Sequence, residues 1–348
     1  MMTLRLLSAG LPSVPTATAW YLANLGEALG KQELFTKQSP QKLKVLREHA
    51  LIESAVSSNR IEGVVVDQSR IATVVFGNAR LRDRNEEEIR GYRAALDVIH
   101  EDGYGLPVSE VNISQFHRKI MQQAGDAGQY REQDSDIIEK YPDGRVRVRF
   151  KTVSAAKIRE SMRETISLWD AALLDPQVPP LIAIAALNLD FLCIHPFRDG
   201  NGRVSRLLLL LTCYHLGLEV GRYISLERVI EQNKERYYET LIQSSQGWHE
   251  GKHDPWPYIN YILATLKTAY REFEQRVGEM ASPRGSKTEL LMGAIQRVGD
   301  NFRVADLQRE CPGVSLDMIR RVLKNLRSLG RVECLGRGQH AEWRKTDK

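Results

Sequence analysis

The chain has 348 residues, 42% of them hydrophobic and 27% charged. That is enough for two or three globular domains with sizeable buried cores. Its formal net charge of +5 is unevenly placed: residues 284–348 hold 14 Lys/Arg against 8 Asp/Glu (+6), and the remainder holds 35 against 36 (−1). The basic excess marks a separate C-terminal module with an acidic partner, nucleic acid among the candidates.

The four cysteines, Cys193, Cys213, Cys311 and Cys334, show no C-x-x-C spacing and read as buried free thiols of a reducing, cytoplasmic setting. The N-terminus lacks a basic stretch followed by a sustained apolar run, so no secretory signal is expected. The most apolar segment, residues 207–211, is far short of a membrane span, and no membrane partner is expected.

In chain order, Pro12 and Pro15 predict an irregular start before a helix over 17–29. Leu43, Leu46, Ala50, Ile52 and Val56 have helical spacing within 40–60. A helix over 86–100 opens with Glu86, Glu87 and Glu88, which suits its dipole, and carries Ile89, Tyr92, Ala95, Leu96 and Ile99 on one face. Another helix covers 111–122. Residues 137–150 differ: Ile137-Ile138 and Val146 to Phe150 flank Pro142-Asp143-Gly144, which predicts a β-hairpin. A helix over 155–173 follows.

Pro179-Pro180 starts a strongly apolar helix over 181–194, and a second apolar helix runs over 201–216. Two helices that are apolar nearly all round belong at the centre of a helical domain. Single helices are expected over 226–244 and 256–280, then a linker over 281–286. The tail predicts helices over 287–298, 304–310 and 316–329, the last capped by Ser315. Ile319, Val322, Leu323 and Leu326 face inward and Arg320, Arg321, Lys324 and Arg327 outward. Strands over 331–335 and 341–344 flank Gly336-Arg337-Gly338 like a wing. The fold class is mainly α, with a hairpin in the central domain and a small winged helix-turn-helix domain at the C-terminus. A basic third helix suits a DNA major groove; protein docking or dimerisation is the alternative.

Between the two apolar helices lies His195-Pro196-Phe197-Arg198-Asp199-Gly200-Asn201-Gly202-Arg203. A helix starting after such a loop offers free backbone N–H groups and a positive dipole end to an anion. Gly200 and Gly202 let phosphate oxygens approach, and Arg203 and Arg206 add forked donors. Asp199 can hold magnesium, His195 can act as a general base, and Phe197 can anchor the loop in the core. A dinucleotide fingerprint is rejected because the loop follows a helix rather than a strand, and a calcium loop because Arg203 takes a ligand position. A plain Gly-Asn turn between two buried helices is the structural alternative.

His195 to Arg206 resembles the signature of the Fic family, HxFx(D/E)GNGRxxR, at all eight specified positions. Pro179-Pro180, the hairpin after Gly128-x-Tyr130-Arg131, and Asn233 with Tyr237-Tyr238 extend the resemblance over about residues 45–270. The resemblance implies a Fic-type helical domain and transfer of AMP from ATP to a Ser, Thr or Tyr hydroxyl of a target protein, the chain itself included. His195 would be the base and Asp199 the Mg2+ ligand. Gly200, Asn201, Gly202 and Arg203 would hold the α- and β-phosphates, Arg206 the γ-phosphate, and Asn233 would lie near the nucleotide. Gly202, where kinase-like relatives have Lys, favours nucleotidyl transfer. The hairpin would hold the target segment by strand addition.

Ser58-Asn59-Arg60-Ile61-Glu62-Gly63 fits the family pattern (S/T)xxxE(G/N), which implies an inhibitory helix over about 45–63 whose Glu62 pairs with Arg206. The expected domains are 1–105 with that helix, 106–280 with the catalytic loop, and 285–346. Two other functions compete: a hydrolase that removes AMP, with Glu62 aligning water, and a DNA-binding regulator, through residues 284–348, whose Fic-like domain only senses nucleotide. The intact His195 and Asp199 favour an enzyme, since a sensor needs no base. A homodimer is a further expected partner. His249-Glu250-Gly251-Lys252-His253 fits the zinc-protease pattern H-E-x-x-H, but Gly247, Gly251 and Pro255 argue for a polar loop.

Overall fold

The computed structural model describes residues 2–10, 13–37, 40–77, 80–140, 145–279, 286–336 and 341–346. Pro12, the turn Pro142-Asp143-Gly144, linker residues 281–285 and the tip residues Arg337 and Gly338 lie outside them. The N-terminal helices are α1 (Thr3–Ser8), α2 (Thr16–Thr36), α3 (Pro40–Ile61), α4 (Ile71–Phe76), α5 (Arg84–Asp102) and α6 (Glu110–Ile120). A hairpin of β1 (Ile137–Lys140) and β2 (Val146–Phe150) follows. Then come α7 (Ile158–Leu174), α8 (Pro180–Ile194), α9 (Asn201–His215), α10 (Leu226–Gln232), α11 (Lys234–Ser245) and α12 (Trp256–Glu279). The C-terminal module is α13 (Ser286–Arg297), β3 (Asn301–Arg303), α14 (Val304–Glu310), α15 (Leu316–Ser328), β4 (Val332–Cys334) and β5 (Glu342–Lys345).

The two apolar helices are the structural centre. Every residue of α8 from Ile182 to Ile194 is buried, and α1, α7, α9, α11 and α12 pack around it. Pro180 opens α8, where its missing N–H costs nothing. On α9, residues Leu207 to Leu211 are buried, and so are Arg203 and Arg206.

Three short elements were not expected, and their stability is tertiary in origin. The N-terminal stretch forms α1 because its first N–H groups, from Thr3 and Leu4, donate to the buried Asp190 carboxylate of α8 at 2.7 and 2.9 Å. Trp248 donates to the same carboxylate at 2.7 Å. Helix α4 buries only Ile71, Val74 and Val75, and β3 exists as an edge partner of β5. The single helix expected over 226–244 is broken at Asn233, whose side-chain amide donates back to the Val229 carbonyl at 3.3 Å.

The hairpin is antiparallel, with Ile138 opposite Val148 and an irregularity at Ile137/Ile138. In the C-terminal module the sheet order is β3-β5-β4, all antiparallel. Ser315 caps α15, whose Ile319, Val322, Leu323 and Leu326 are buried in a second apolar cluster with Leu291, Phe302 and Leu307. Cys193, Cys213 and Cys311 are buried free thiols. Among the described residues, no helix is long and apolar enough to cross a membrane.

Candidate active site

The loop between α8 and α9 is held by its own backbone and by α6. His195 closes α8 in the left-handed conformation, φ 55° and ψ 60°, a position unusual for a residue with a side chain. Asn201 fixes the loop from inside: its side chain accepts from the Phe197 N–H at 2.9 Å and donates to the Phe197 carbonyl at 2.7 Å. Phe197 is fully buried and stacks on His117, ring centroids 3.9 Å apart. His117 accepts from the Gly128 N–H at Nδ1, 2.8 Å, so Nε2 carries the proton and donates to the Asp199 carbonyl at 3.0 Å. Gly200, at φ 80°, takes a backbone conformation that would strain a residue with a side chain, and a Cβ there would crowd His117 and Met121 at 3.3 Å. Arg131 ties the loop to the base of the hairpin, donating to the His195 carbonyl at 2.9 Å and to Thr152 Oγ1 at 2.7 Å.

The N-terminus of α9 has no side-chain cap. Its first N–H groups therefore remain available to an anion, as the loop composition predicts. Beside it a cavity of about 210 Å3 is lined by Glu62, Ile137, Phe150, Leu192, His195, Gly202, Tyr237, Tyr238, Leu241 and Ile242, with Arg149. The loop, the hairpin, α11 and the turn after α3 thus converge on one apolar slot. Arg149 reaches from β2 to the Tyr238 ring, 5.8 Å from its centroid. Burial pushes the His195 imidazolium down to about 4, with the Leu192 carbonyl opposing and the Arg131 charge adding to the effect. The ring is therefore neutral at pH 7. Nδ1 lies 3.4 Å from the Leu192 carbonyl, which leaves Nε2 as the free acceptor.

Ser58 and Glu62 meet Arg206. The buried guanidinium donates to Ser58 Oγ at 2.8 Å, to the Ser58 carbonyl at 2.9 Å and to Glu62 Oε1 at 2.8 Å. Burial opposes the charge on Arg206, and the adjacent Glu62 carboxylate, together with Tyr237 and Tyr92, outweighs it, so its pKa is raised. Glu62 sits just beyond α3, in a turn closed by Gly63 at φ 84° with the Val64 N–H donating to the Asn59 carbonyl. A Cβ at Gly202 would lie 2.3 Å from Glu62 Oε1, so this glycine is what lets the carboxylate lie against the start of α9.

The other sequence-predicted residues fall in different surroundings. Arg203 is buried beneath the loop and pairs with Glu88 of α5, with Asn59 Oδ1 at 3.3 Å. Asp199 is more than half exposed, with Arg84 3.3 Å from Oδ2. Asn233 is exposed at the α10–α11 corner and does not line the cavity. His249 stacks on Phe150 and contacts the Lys151 carbonyl at 2.6 Å, whereas the buried His253 meets Thr3 Oγ1 at 2.9 Å. The two histidines of the H-E-x-x-H match therefore brace the hairpin and the N-terminus separately. Sequence reasoning missed Glu88, His117 and Asp190. Glu88 reads as a dipole-favouring acid, and nothing local marks the other two.

Residues 107–213 match the model of the Fic/DOC family. The chain carries a Fic/DOC domain. It is similar to the protein adenylyltransferase Fic of Nematostella vectensis, 24% identical over 229 residues, which is 62% of this chain and 47% of that protein. It is also similar to the protein adenylyltransferase fic-1 of Caenorhabditis elegans, 24% identical over 200 residues, 55% of this chain and 34% of that one. The chain thus spans about half or less of the curated relatives it matches. Among solved structures, a Fic family protein from Desulfovibrio desulfuricans G20 aligns over 97% of this chain and 98% of that one, with TM-score 0.62 and 22% identity. A Fic domain containing signaling protein from Bacteroides thetaiotaomicron aligns over 75% of this chain and 98% of that one, with TM-score 0.61 and 20% identity. These likenesses establish a Fic fold, mostly helical, around the loop.

Proposed function

We propose that the chain is a protein adenylyltransferase restrained by its own Glu62. The observation that carries this reading is the position of His195: a neutral imidazole lining an apolar cavity beside the uncapped N-terminus of α9. In this reading the adenine lies in the slot between the hairpin and α11, against Phe150, Leu241 and Ile242. The free N–H groups of Asn201 and Gly202 and the Arg206 guanidinium receive the phosphates. Asn201 and Arg203 act chiefly by holding the loop, since their side chains are engaged with Phe197 and Glu88.

A target hydroxyl oxygen attacks the α-phosphorus, its proton passes to His195 Nε2, and the bond from the α-phosphorus to the pyrophosphate oxygen breaks. Protein-O-AMP and pyrophosphate are the products. Most of the rate then comes from positioning and from donors aimed at the phosphates. The exposed Asp199 carboxylate fits a magnesium ion, which takes one or two carboxylates together with phosphate oxygens. When bound, the ion would neutralise charge on the departing pyrophosphate. The exposed apolar residues Ile138, Val146 and Val148 suit a hairpin that receives a target strand.

The restraint rests on one contact. Glu62 occupies Arg206, the donor proposed for the terminal phosphate, and its negative charge opposes a triphosphate there. Because Glu62 lines the same cavity as His195, the second reading is that it aligns a water to attack the α-phosphorus of protein-O-AMP, breaking the bond to the protein oxygen and releasing AMP and the free hydroxyl. The proposed domains are 1–105, 106–280 and 285–346. The last is proposed as a winged helix-turn-helix whose exposed Arg320, Arg321, Lys324 and Arg327 suit duplex DNA. Transfer of label from α-labelled ATP to the Glu62→Gly chain, absent after His195→Ala, is the test of the transferase reading.

A further inference from the structure

Helix α3 carries Ser58 and Asn59 and leads directly into Glu62, so whatever holds α3 in place also holds the proposed restraint. The C-terminal module is seated on this helix. The Gly313 backbone lies on α3 so closely that a Cβ there would stand 2.8 Å from Ile52 Cδ1 and 3.6 Å from the His49 ring. Gln68 joins both sides: its amide donates to the Gln308 carbonyl of the module at 2.8 Å, and its oxygen accepts from Arg60 of α3 at 3.3 Å. Gln232 of α10 reaches Glu310 at 3.2 Å. Leu290 of α13 belongs to the main core rather than to the module's own cluster.

Beneath this seam is a buried charge cluster. Glu53 of α3, 1% exposed, lies 3.2 Å from His49, 3.3 Å from Arg228 of α10 and 3.6 Å from Arg276 of α12. Arg228 and Arg276 also share Glu272. Removing one member of such a network leaves an uncompensated buried charge, so α3, α10 and α12 are fixed to one another where the module covers them. The seam ends at Arg60, two residues before Glu62.

We propose that the C-terminal module is a clamp on the Glu62 restraint: docked on α3 through residues 308–313, it holds the end of that helix where Glu62 covers Arg206. By linkage, a partner that draws the module away from α3 raises the nucleotide affinity of the loop, and nucleotide at Arg206 loosens the module by the same factor. For its activity readout the clamp rests on the transferase reading; for its structural readout it does not.

The test uses the full chain in five forms: wild type, Glu62→Gly, Gly313→Arg, Gln68→Ala, and Gly313→Arg combined with Glu62→Gly. Hydrogen exchange in α3 and AMP incorporation with ATP and magnesium are measured for each. The clamp predicts that Gly313→Arg, and more weakly Gln68→Ala, accelerates exchange over residues 46–61 and raises incorporation severalfold. It predicts no added incorporation when Gly313→Arg is combined with Glu62→Gly. Unchanged α3 exchange in both seam variants overturns the clamp by itself. So does wild-type incorporation in the seam variants while Glu62→Gly is active, or a further rise in the combined form. If Glu62→Gly is itself inactive, the transferase reading fails, and α3 exchange alone decides the clamp. Gln68→Ala removes one hydrogen bond without adding bulk, so its exchange and incorporation decide the matter if Gly313→Arg does not fold.

Discussion

Glu62 and Arg206 come from segments 144 residues apart and meet at 2.8 Å, a carboxylate on the guanidinium that the loop would offer to a terminal phosphate. The contact is partly open to solvent on the Glu62 side and closed on the Arg206 side, with side-chain exposures of 30% and 2%. Glu62 can therefore leave without unpacking the core, while Arg206 stays where Ser58 holds it.

If Glu62 occupies the site of the third phosphate, its removal should favour ATP over ADP. In a His195→Ala background, to prevent turnover, adding Glu62→Gly is expected to tighten ATP binding about tenfold or more, on the order of 1.4 kcal/mol, with a smaller gain for ADP. Titration calorimetry with both nucleotides checks this. Equal gains, or none, would contradict the placement.

The pH dependence follows from His195. A general base works deprotonated, and burial holds this imidazole down to about 4 rather than at its ordinary 6.5. The Glu62 charge acts to raise that value, so Glu62→Gly leaves it at or below about 4. The rate of the Glu62→Gly chain should stay level as pH falls from 8 through 6 and decline only toward 4, where the ring takes up its proton. Half-loss of activity near the ordinary value of 6.5 would show a base in a different environment.

Glu88 is expected to matter to stability more than its position in a first helical turn suggests. It is the counter-charge of Arg203, whose side chain is 2% exposed. Glu88→Ala leaves that buried guanidinium with only the exposed Asp199 carboxylate, 3.5 Å away, as counter-charge, so the loss approaches about 3–5 kcal/mol, the cost of breaking a buried pair. Urea unfolding measures it; a change within about 0.5 kcal/mol, the usual range for a surface site, would argue that Asp199 and Asn59 compensate Arg203 without Glu88.

The basic face of α15 makes a separate prediction. Arg320, Arg321, Lys324 and Arg327 are exposed, and none has an ion-pair partner among the described residues. The full chain should bind duplex DNA with an affinity that falls steeply with salt, and Arg320→Glu with Lys324→Glu should weaken binding and flatten the slope of that dependence. Salt-independent binding, or none, would favour a protein partner for this face.

Much of the fold was legible because α5, α7 and α12 carry a clear 3.6-residue pattern and α8 is apolar throughout, and the loop was legible because its residues from His195 to Arg206 are contiguous. Glu62 could be read only beside that loop, since one glutamate at a helix end carries no signal of its own. The remainder depends on distance in sequence. Glu88 is 115 residues from Arg203, the His117 ring reaches a carbonyl 82 residues away, and α1 is anchored by an aspartate 187 residues from Thr3. Such partners leave no local pattern. Short elements such as α4 and β3 have too few residues for periodicity, and the break at Asn233 lies within a pattern that continues across it.

Intact-mass spectrometry of the purified chain with ATP and magnesium shows whether His195 transfers AMP and whether Glu62 holds that transfer back. A mass gain of one or more AMP groups is expected on Glu62→Gly, little on the wild type, and none on Glu62→Gly combined with His195→Ala. No gain on Glu62→Gly, or the same gain with and without His195, would rule out AMP transfer by this histidine.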